Sequence, residues 1–184
     1  MVPDSVGYLN ADMFDYCGNL VCVTVSSTHQ NYQTAADGSL YSKDGKELIC
    51  VPKSMCGSFS VPNGVTCISA SAFSNCRYIT EIGIPDSVQI IGKHAFVDCT
   101  NLENVCIPDS VATLPEGVFE NCENLTTVSL PVNIQEIGES IFFGCHKLTA
   151  INIPEGLKRI PNHAFQGCWR LESIILPDSV NAID

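Results

Sequence analysis

Residues 84–99 read IPDSVQIIGKHAFVDC, and residues 107–122 read IPDSVATLPEGVFENC. Proline, phenylalanine and cysteine each return every 23 residues along the chain. The three series are Pro62, Pro85, Pro108, Pro131, Pro154 and Pro177; Phe73, Phe96, Phe119, Phe142 and Phe165; and Cys76, Cys99, Cys122, Cys145 and Cys168. Pro3, Phe14 and Cys17 keep the same internal spacing and mark an earlier copy. A fixed period of this length is typical of an array in which each repeat is one structural unit.

Each repeat combines a short strand, a turn and a compact return segment. In the copy that begins at Leu102, the pattern L-x-x-V-x-I alternates with period two, and its β-branched residues favour a strand. The following Pro-Asp-Ser predicts a turn, because proline lacks an N–H and Asp and Ser bond to nearby backbone. The segment A-F-x-x-C is too short for an independent helix and predicts one tight α or 3₁₀ turn.

One repeat cannot bury its apolar edge alone, so the repeats are expected to stack. We therefore predict an α/β solenoid, a right-handed superhelix of 23-residue coils with short helical turns and parallel strands. The strands are expected near 81–84, 104–107, 127–130, 150–153 and 173–176. The repeat phenylalanines from Phe73 to Phe165 should form one buried column. Residues 1–184 are predicted to be one solenoid, interrupted by an insertion at about 26–61.

The insertion contains a strong hairpin signal. The segments SLYS and ELICV flank Asp44-Gly45, which predicts two short strands joined by a tight turn. Asp37-Gly38 indicates a second turn. Carboxylates and glycines could also supply a calcium loop, but their spacing differs from that of an EF-hand, so plain turns are favoured. We expect the hairpin to lie against the solenoid edge and to add a lateral contact surface.

The repeat L-x-x-I-x-I-P-D-S-V-x-x-I-G-x-x-A-F-x-x-C resembles the BspA-like, Treponema-type leucine-rich repeat over the whole chain. It departs from the general leucine-rich pattern at the usual Asn or Cys position. That position holds Ser87, Ser110, Asn133, Gly156 and Ser179. The resemblance implies a leucine-rich-repeat superhelix in a bacterial cell-surface or secreted protein of adhesin type. It also implies a protein or glycan partner, including one derived from a host.

The charge of the chain excludes some classes of partner. The formal net charge is −11. Nucleic-acid binding needs cations that displace phosphate counterions, and anionic lipid attracts the same residues, so neither partner is expected. No apolar run approaches the ~20 residues of a membrane-spanning helix. The sequence after Met1 has neither the basic nor the apolar region of a signal peptide. An extracellular or cell-surface location therefore rests on the resemblance, and a monomer is expected.

The eleven cysteines divide into a ladder and an irregular group. The irregular ones are Cys22, Cys50, Cys56, Cys67 and Cys106. Ladder Cβ atoms should stay about one strand spacing apart, ~4.8 Å, which exceeds the ~3.5–4.5 Å of a disulfide. No C-x-x-C pair suggests zinc. We expect ladder cysteines to act as small buried apolar residues. A local disulfide between Cys50 and Cys56 stays open as an alternative.

No catalytic motif is apparent. The chain contains no G-x-S-x-G, H-E-x-x-H or phosphate-loop sequence. His94 and His163 share a repeat column, but three coils separate them by roughly 14 Å, which is too far for a shared metal. We expect no enzyme activity, no cofactor and no metal. A Cys–His pair at an irregular cysteine is the open alternative.

Recognition is expected at positions that depart from the repeat. Phe143 and Trp169 replace mostly polar residues of their columns, which predicts an exposed aromatic patch beside His146. Cover by a neighbouring segment is the alternative. The outer, concave face of the strands carries small and hydroxyl-bearing residues. Its candidate contacts are Asn104, Cys106, Asn152 and Ile175. The sequence favours a non-catalytic protein- or glycan-binding module over a structural spacer or a cysteine-dependent enzyme.

Overall fold

The computed structural model describes residues 1–15 and 17–184 as a stack of coils with two strand walls. The long-strand wall contains β4 (Cys56–Ser60), β6 (Tyr78–Gly83), β8 (Asn104–Cys106), β10 (Thr127–Ser129), β12 (Ala150–Asn152) and β14 (Ser173–Ile175). The short-strand wall contains β3 (Glu47–Cys50), β5 (Cys67–Ile68), β7 (Ile90–Ile91), β9 (Thr113–Leu114), β11 (Glu136–Ile137), β13 (Arg159–Ile160) and β15 (Ala182–Ile183). The remaining elements are a 3₁₀ helix at Ala11–Phe14, β1 (Tyr32–Thr34) and β2 (Leu40–Ser42).

The long-strand wall follows the 23-residue period. Strands β4, β6, β8 and β10 pair in parallel, and Val105 stands opposite Val128. β12 and β14 form a second parallel pair. The central residue of β8, β10 and β12 is buried and its two neighbours are exposed, as alternation requires. The strands end one residue earlier than predicted, because the next position precedes a proline that offers no ladder donor.

A column of phenylalanine rings fills the core. Phe73, Phe96, Phe119 and Phe142 are fully buried. The rings of Phe96 and Phe119 stack with centroids 5.3 Å apart, and those of Phe119 and Phe142 with centroids 5.7 Å apart. Phe165 is only half-buried, which departs from the prediction, because no further ring of the described chain covers its outer side.

The A-F-x-x-C segments form a third side, the turn wall, whose backbone bonds run between coils. The N–H groups of His94, Phe96 and Asp98 donate to the carbonyls of Glu116, Val118 and Glu120 at 2.9–3.0 Å. These donors are therefore unavailable for helical bonds within the segment. His94 and Asp98 adopt left-handed φ values of 53° and 58°. Val97 and Cys99 still donate to the carbonyls three residues earlier, at 3.1 and 3.2 Å, so the segment holds isolated tight turns and no continuous helix.

The ladder cysteines act as donors as well as apolar filling. The thiol of Cys122 donates to the carbonyl of Phe96 at 3.2 Å, and Cys99, Cys145 and Cys168 bond in the same way one coil back. Each bond ties a turn to the preceding coil. All eleven cysteines are free thiols, so Cys50, which is buried, and Cys56, which is exposed, are not joined.

The insertion lies partly outside and partly inside the array. β2 and β3 pair antiparallel on either side of Asp44-Gly45. β3 also pairs in parallel with β5, so residues 47–60 complete a shortened coil instead of lying wholly against the edge. The Asp44 carboxylate accepts bonds from the Ser42 hydroxyl at 2.6 Å and the Lys46 N–H at 3.1 Å, which is turn chemistry.

Candidate binding surfaces

The outer side of the long-strand wall is exposed and mostly small in side chain. Asn104 and Cys106 lie there on β8 with both side chains exposed. The amide oxygen of Asn104 accepts from the hydroxyls of Thr126 and Thr127 on the next coil. Asn104 is therefore already engaged in holding two coils together, whereas the Cys106 thiol is free and accessible.

The other two strand candidates lie next to each other. Asn152 on β12 stands opposite Ile175 on β14. Ile175 is 78% exposed. Asn152 and Cys106 occupy the same repeat position, two coils apart. The pair on β8 is thus separated from the pair on β12 and β14, so the four candidates share one face but do not form one cluster.

His146 and Trp169 form a stacked aromatic pair. Their ring centroids are 4.0 Å apart and their planes differ by 4°. The two residues occupy the same repeat position on consecutive coils, so coil stacking places one ring over the other. His146 is half-buried, and Trp169 is 79% exposed. One face of the indole is supported from below while the side chain remains open to solvent.

Phe143 stands apart from this pair. It is half-buried, and within the described residues no ring contact joins it to His146 or Trp169. Its carbonyl accepts the Asn121 N–H at 2.7 Å, which makes its backbone part of the turn wall. The structure therefore brings together two of the three residues expected in the aromatic patch.

The buried thiols are in the wrong environment for nucleophilic catalysis. Burial raises the pKa of Cys67 to about 11 and that of Cys76 to about 12, and it raises the pKa values of Cys99, Cys122 and Cys145 well above the ordinary value of a thiol. A reactive cysteine needs a lowered pKa, because the thiolate is the nucleophile. In residues 1–15 and 17–184, no group of three or more His, Cys, Asp or Glu side chains is placed to hold a metal ion.

A polar cleft that no sequence motif predicts lies near the end of β3. Lys53 is fully buried, and its Nζ has no hydrogen-bond partner in the described part of the chain. The cleft has a volume of about 330 Å³ and is lined by Gly18, Asn19, Lys53, Asn75, Arg77 and Tyr78. The Val51 N–H donates to the Ala72 carbonyl, and one coil later the Phe73 N–H donates to the Ala95 carbonyl. Val51 and Phe73 are therefore equivalent positions, and Lys53, two residues after Val51, is equivalent to Asn75. That equivalence is visible only once residues 47–60 are recognised as a coil.

The repeat geometry agrees with a known family. The family described as BspA type leucine rich repeat region matches residues 53–171 in six copies. The chain belongs to the BspA-type leucine-rich repeat family. A comparison with curated protein sequences found no significant match. No helix among the described residues of this BspA-type protein has the length and apolarity needed to cross a bilayer.

Solved structures of bacterial leucine-rich repeat proteins share the fold. A leucine rich cell surface protein of Faecalibacterium prausnitzii is 31% identical, with a TM-score of 0.78 over 95% of this chain and 44% of that one. A leucine-rich repeat protein of Eubacterium ventriosum is 27% identical, with a TM-score of 0.75 over 99% of this chain and 56% of that one. The T. pallidum leucine rich repeat protein is 23% identical, with a TM-score of 0.67 over 88% of this chain and 81% of that one, and shows the fold alone. The BspA-type chain thus spans about half the length of the first two relatives.

Proposed function

We propose that this BspA-type array is a non-catalytic binding module on the outside of a bacterial cell, with the His146–Trp169 pair as its principal contact. The carrying observation is that Trp169 is 79% exposed although its ring is stacked on His146 at 4.0 Å. In the preceding coils the same repeat position holds the polar residues Arg77, Thr100 and Glu123. The two aromatic rings are therefore a departure from the repeat. The cell-surface description of the Faecalibacterium relative supports the same location for this chain.

A supported indole suits recognition for energetic reasons. Trp supplies a large contact area with only two side-chain torsions, and it is enriched among residues that dominate binding energy. Stacking on His146 restricts those torsions before the partner arrives, so less conformational entropy is lost on binding. The imidazole also keeps one indole face dry, which leaves the other face and the ring edge for contact.

The chemistry of the surroundings narrows the partner to a flat protein surface or a sugar ring. The outer strand face of the same coils offers the exposed amide of Asn152 beside the apolar Ile175. Such a surface can hydrogen-bond a polar rim around an apolar centre. The net charge of −11 disfavours strongly acidic partners at this surface.

The test is capture of host and bacterial surface proteins, together with a glycan array, by the wild type and by Trp169→Ala. Tyr8→Ala is the matched control, because Tyr8 is an aromatic side chain that is 80% exposed at the other end of the chain. We expect Trp169→Ala to fold normally and to weaken binding about 30-fold, or ~2 kcal/mol, as for a central hot spot. Tyr8→Ala should bind as the wild type does.

Two results would contradict the proposal. Equal affinity of wild type and Trp169→Ala for every specific partner would remove the aromatic pair from the site and direct attention to Cys106, Asn152 and Ile175. Absence of any specific partner for the wild type would favour the structural spacer.

A further inference from the structure

Lys53 presents a charge without an obvious counter-charge. The side chain is fully buried three residues after the end of β3, and within the described residues its Nζ has no hydrogen-bond partner. Burying an ammonium group without a partner is costly, because the group loses its hydration and gains nothing in return. A buried cation of this kind is stable only when something neutralises it.

The neighbouring side chains add further donors on one side of the cleft. The exposed Arg77 guanidinium donates to the Asn75 side-chain oxygen at 3.1 Å, which orients it along the cleft wall. Asn75 is itself buried, and Asn19 contributes a second amide from the opposite segment. Two of the nine Lys and Arg side chains thus line one cleft in a chain with net charge −11.

Asp15 is a candidate for an internal counter-ion, but it forms no ion pair with Lys53 in the described chain. One carboxylate oxygen of Asp15 is also buried without a partner. Burial raises the pKa of Cys50, while the charge of Lys53 lowers it and that of Asp15 raises it, so both groups act near this thiol. The ion pairs of the described chain do not include Lys53 with Asp15.

We propose that this cleft binds a small oxyanion, with Lys53 providing the buried charge and Arg77 the donor at the rim. The group is a carboxylate, sulfate or phosphate, carried by a free ion or by an acidic sugar. A cleft of about 330 Å³ has room for such a group with several waters, each of which occupies about 30 Å³. Guanidinium and ammonium groups are the usual protein partners of these anions.

The site is separate from the aromatic pair. Arg77 and Trp169 occupy the same repeat position but lie four coils apart, which is about 19 Å by strand spacing. Loss of one site therefore leaves the other intact, and the two proposals can fail independently.

The experiment follows the full chain by NMR and thermal unfolding during titration with sodium sulfate, sodium phosphate and sodium glucuronate, at ionic strength matched with sodium chloride. We expect saturable shifts of the Asn19 and Asn75 side-chain amides and a higher unfolding midpoint. Sulfate and phosphate stabilise many proteins nonspecifically, so the decisive quantity is the difference between variants.

Lys53→Met keeps the length of the side chain and removes its charge. Lys158→Met removes an exposed charge from the opposite end of the array and is the matched control.

Lys53→Met should lower affinity at least tenfold, Arg77→Gln should lower it less, and Lys158→Met should leave it unchanged. Asp15→Asn should raise affinity, because it removes the competing carboxylate. In chloride alone, Lys53→Met should unfold at a higher temperature than the wild type, because an unpaired buried charge has been removed. A preference for glucuronate over both inorganic ions would identify an acidic sugar as the source, and the reverse order a free ion.

The proposal is overturned if the wild type shows no saturable response to any of the three anions, or if Lys53→Met and Lys158→Met respond alike. Should Lys53→Met fail to fold, Arg77→Gln decides the matter, because Arg77 is exposed and its replacement leaves the core untouched. Unchanged anion affinity in Arg77→Gln then also overturns the proposal.

Discussion

The thiol of Cys122 donates a hydrogen bond to the carbonyl oxygen of Phe96, 3.2 Å away and one coil earlier. The same oxygen accepts the Cys99 N–H at 3.2 Å. Both partners are buried, so the carbonyl has no access to water. The cysteine column therefore links consecutive turns in a way that an equally small apolar residue cannot reproduce.

Cys122→Ala should lower the free energy of unfolding by about 2 kcal/mol. The substitution leaves a cavity in place of the sulfur, and the Phe96 carbonyl loses one of its two hydrogen bonds. Urea denaturation should show a lower midpoint with an unchanged slope. Cys106→Ala is the control, because that thiol is exposed on the outer strand face, and its effect should stay within about 0.5 kcal/mol. Equal effects of the two substitutions would contradict a structural role for the ladder thiols.

Alkaline pH should destabilise the protein through the same thiols. Burial raises the pKa of Cys76 to about 12 and the pKa values of Cys99, Cys122 and Cys145 well above the ordinary range. The unfolded chain loses these protons from about pH 8.5, so above that pH the folded state binds more protons. Their contribution to stability is thus complete below pH ~8.5 and declines as pH rises, by up to about 1.4 kcal/mol per thiol and pH unit.

The measurement is urea denaturation at a series of pH values from 7 to 10. Cys122→Ala should give a shallower decline than the wild type, because one titrating group is missing. A stability that does not change between pH 8 and 10 would be incompatible with buried thiols.

Thiol labelling of the native protein should separate two classes of cysteine. Cys17, Cys22, Cys56 and Cys106 are exposed and should react within minutes at pH 8. The buried ladder thiols should react only as the chain unfolds, because they are inaccessible and protonated. Cys168 is half-buried and should react at an intermediate rate. Mass spectrometry of labelled peptides would show the order, and early labelling of Cys99 or Cys122 would refute it.

Gly138→Ala should destabilise the short-strand wall by about 3 kcal/mol, since overpacking against backbone is difficult to relieve. The new Cβ would lie 2.3 Å from the backbone nitrogen of Glu116. Gly83→Ala is the matched control, because its Cβ would contact atoms of Ser60 at 3.4–3.9 Å, which is ordinary van der Waals distance. Thermal unfolding should show a large decrease for the first variant and little change for the second. Similar midpoints would mean that the coils can separate at Gly138 at low cost.

The 23-residue period predicts most of the architecture because a column position meets the same neighbours in every coil. The strands and the buried rings of Phe73 to Phe142 follow from that rule. The non-helical turn wall does not, since the segment around Phe96 is compatible with a helical turn until the next coil offers carbonyls to its N–H groups. The shortened coil at 47–60 was hidden because it lacks the A-F-x-x-C segment that marks the others.

The candidate surfaces were only partly accessible from the sequence. The shared column of His146 and Trp169 placed the two residues near each other, but the parallel contact at 4.0 Å depends on side-chain torsions that the repeat does not specify. Phe143 is predicted in the same patch because it, like Trp169, replaces mostly polar residues of its column, yet its ring does not contact the described pair. The burial of Lys53 could not be predicted from the sequence, since one lysine in a loop is ordinarily solvated.

The direction of the turn-wall bonds gives this wall an electrical polarity. In each coil three N–H groups, such as those of His94, Phe96 and Asp98, point toward the following coil, and the carbonyls that receive them point back. The peptide dipoles along this wall therefore add instead of cancelling, as they do along a helix axis. On this wall the partial charge is positive toward the C-terminal coils and negative toward the N-terminal ones. On the short-strand wall the N–H groups of Gly92 and Gly138 point the other way, to Ile68 and Leu114 of the preceding coil, so the dipoles of the two walls oppose each other across the core.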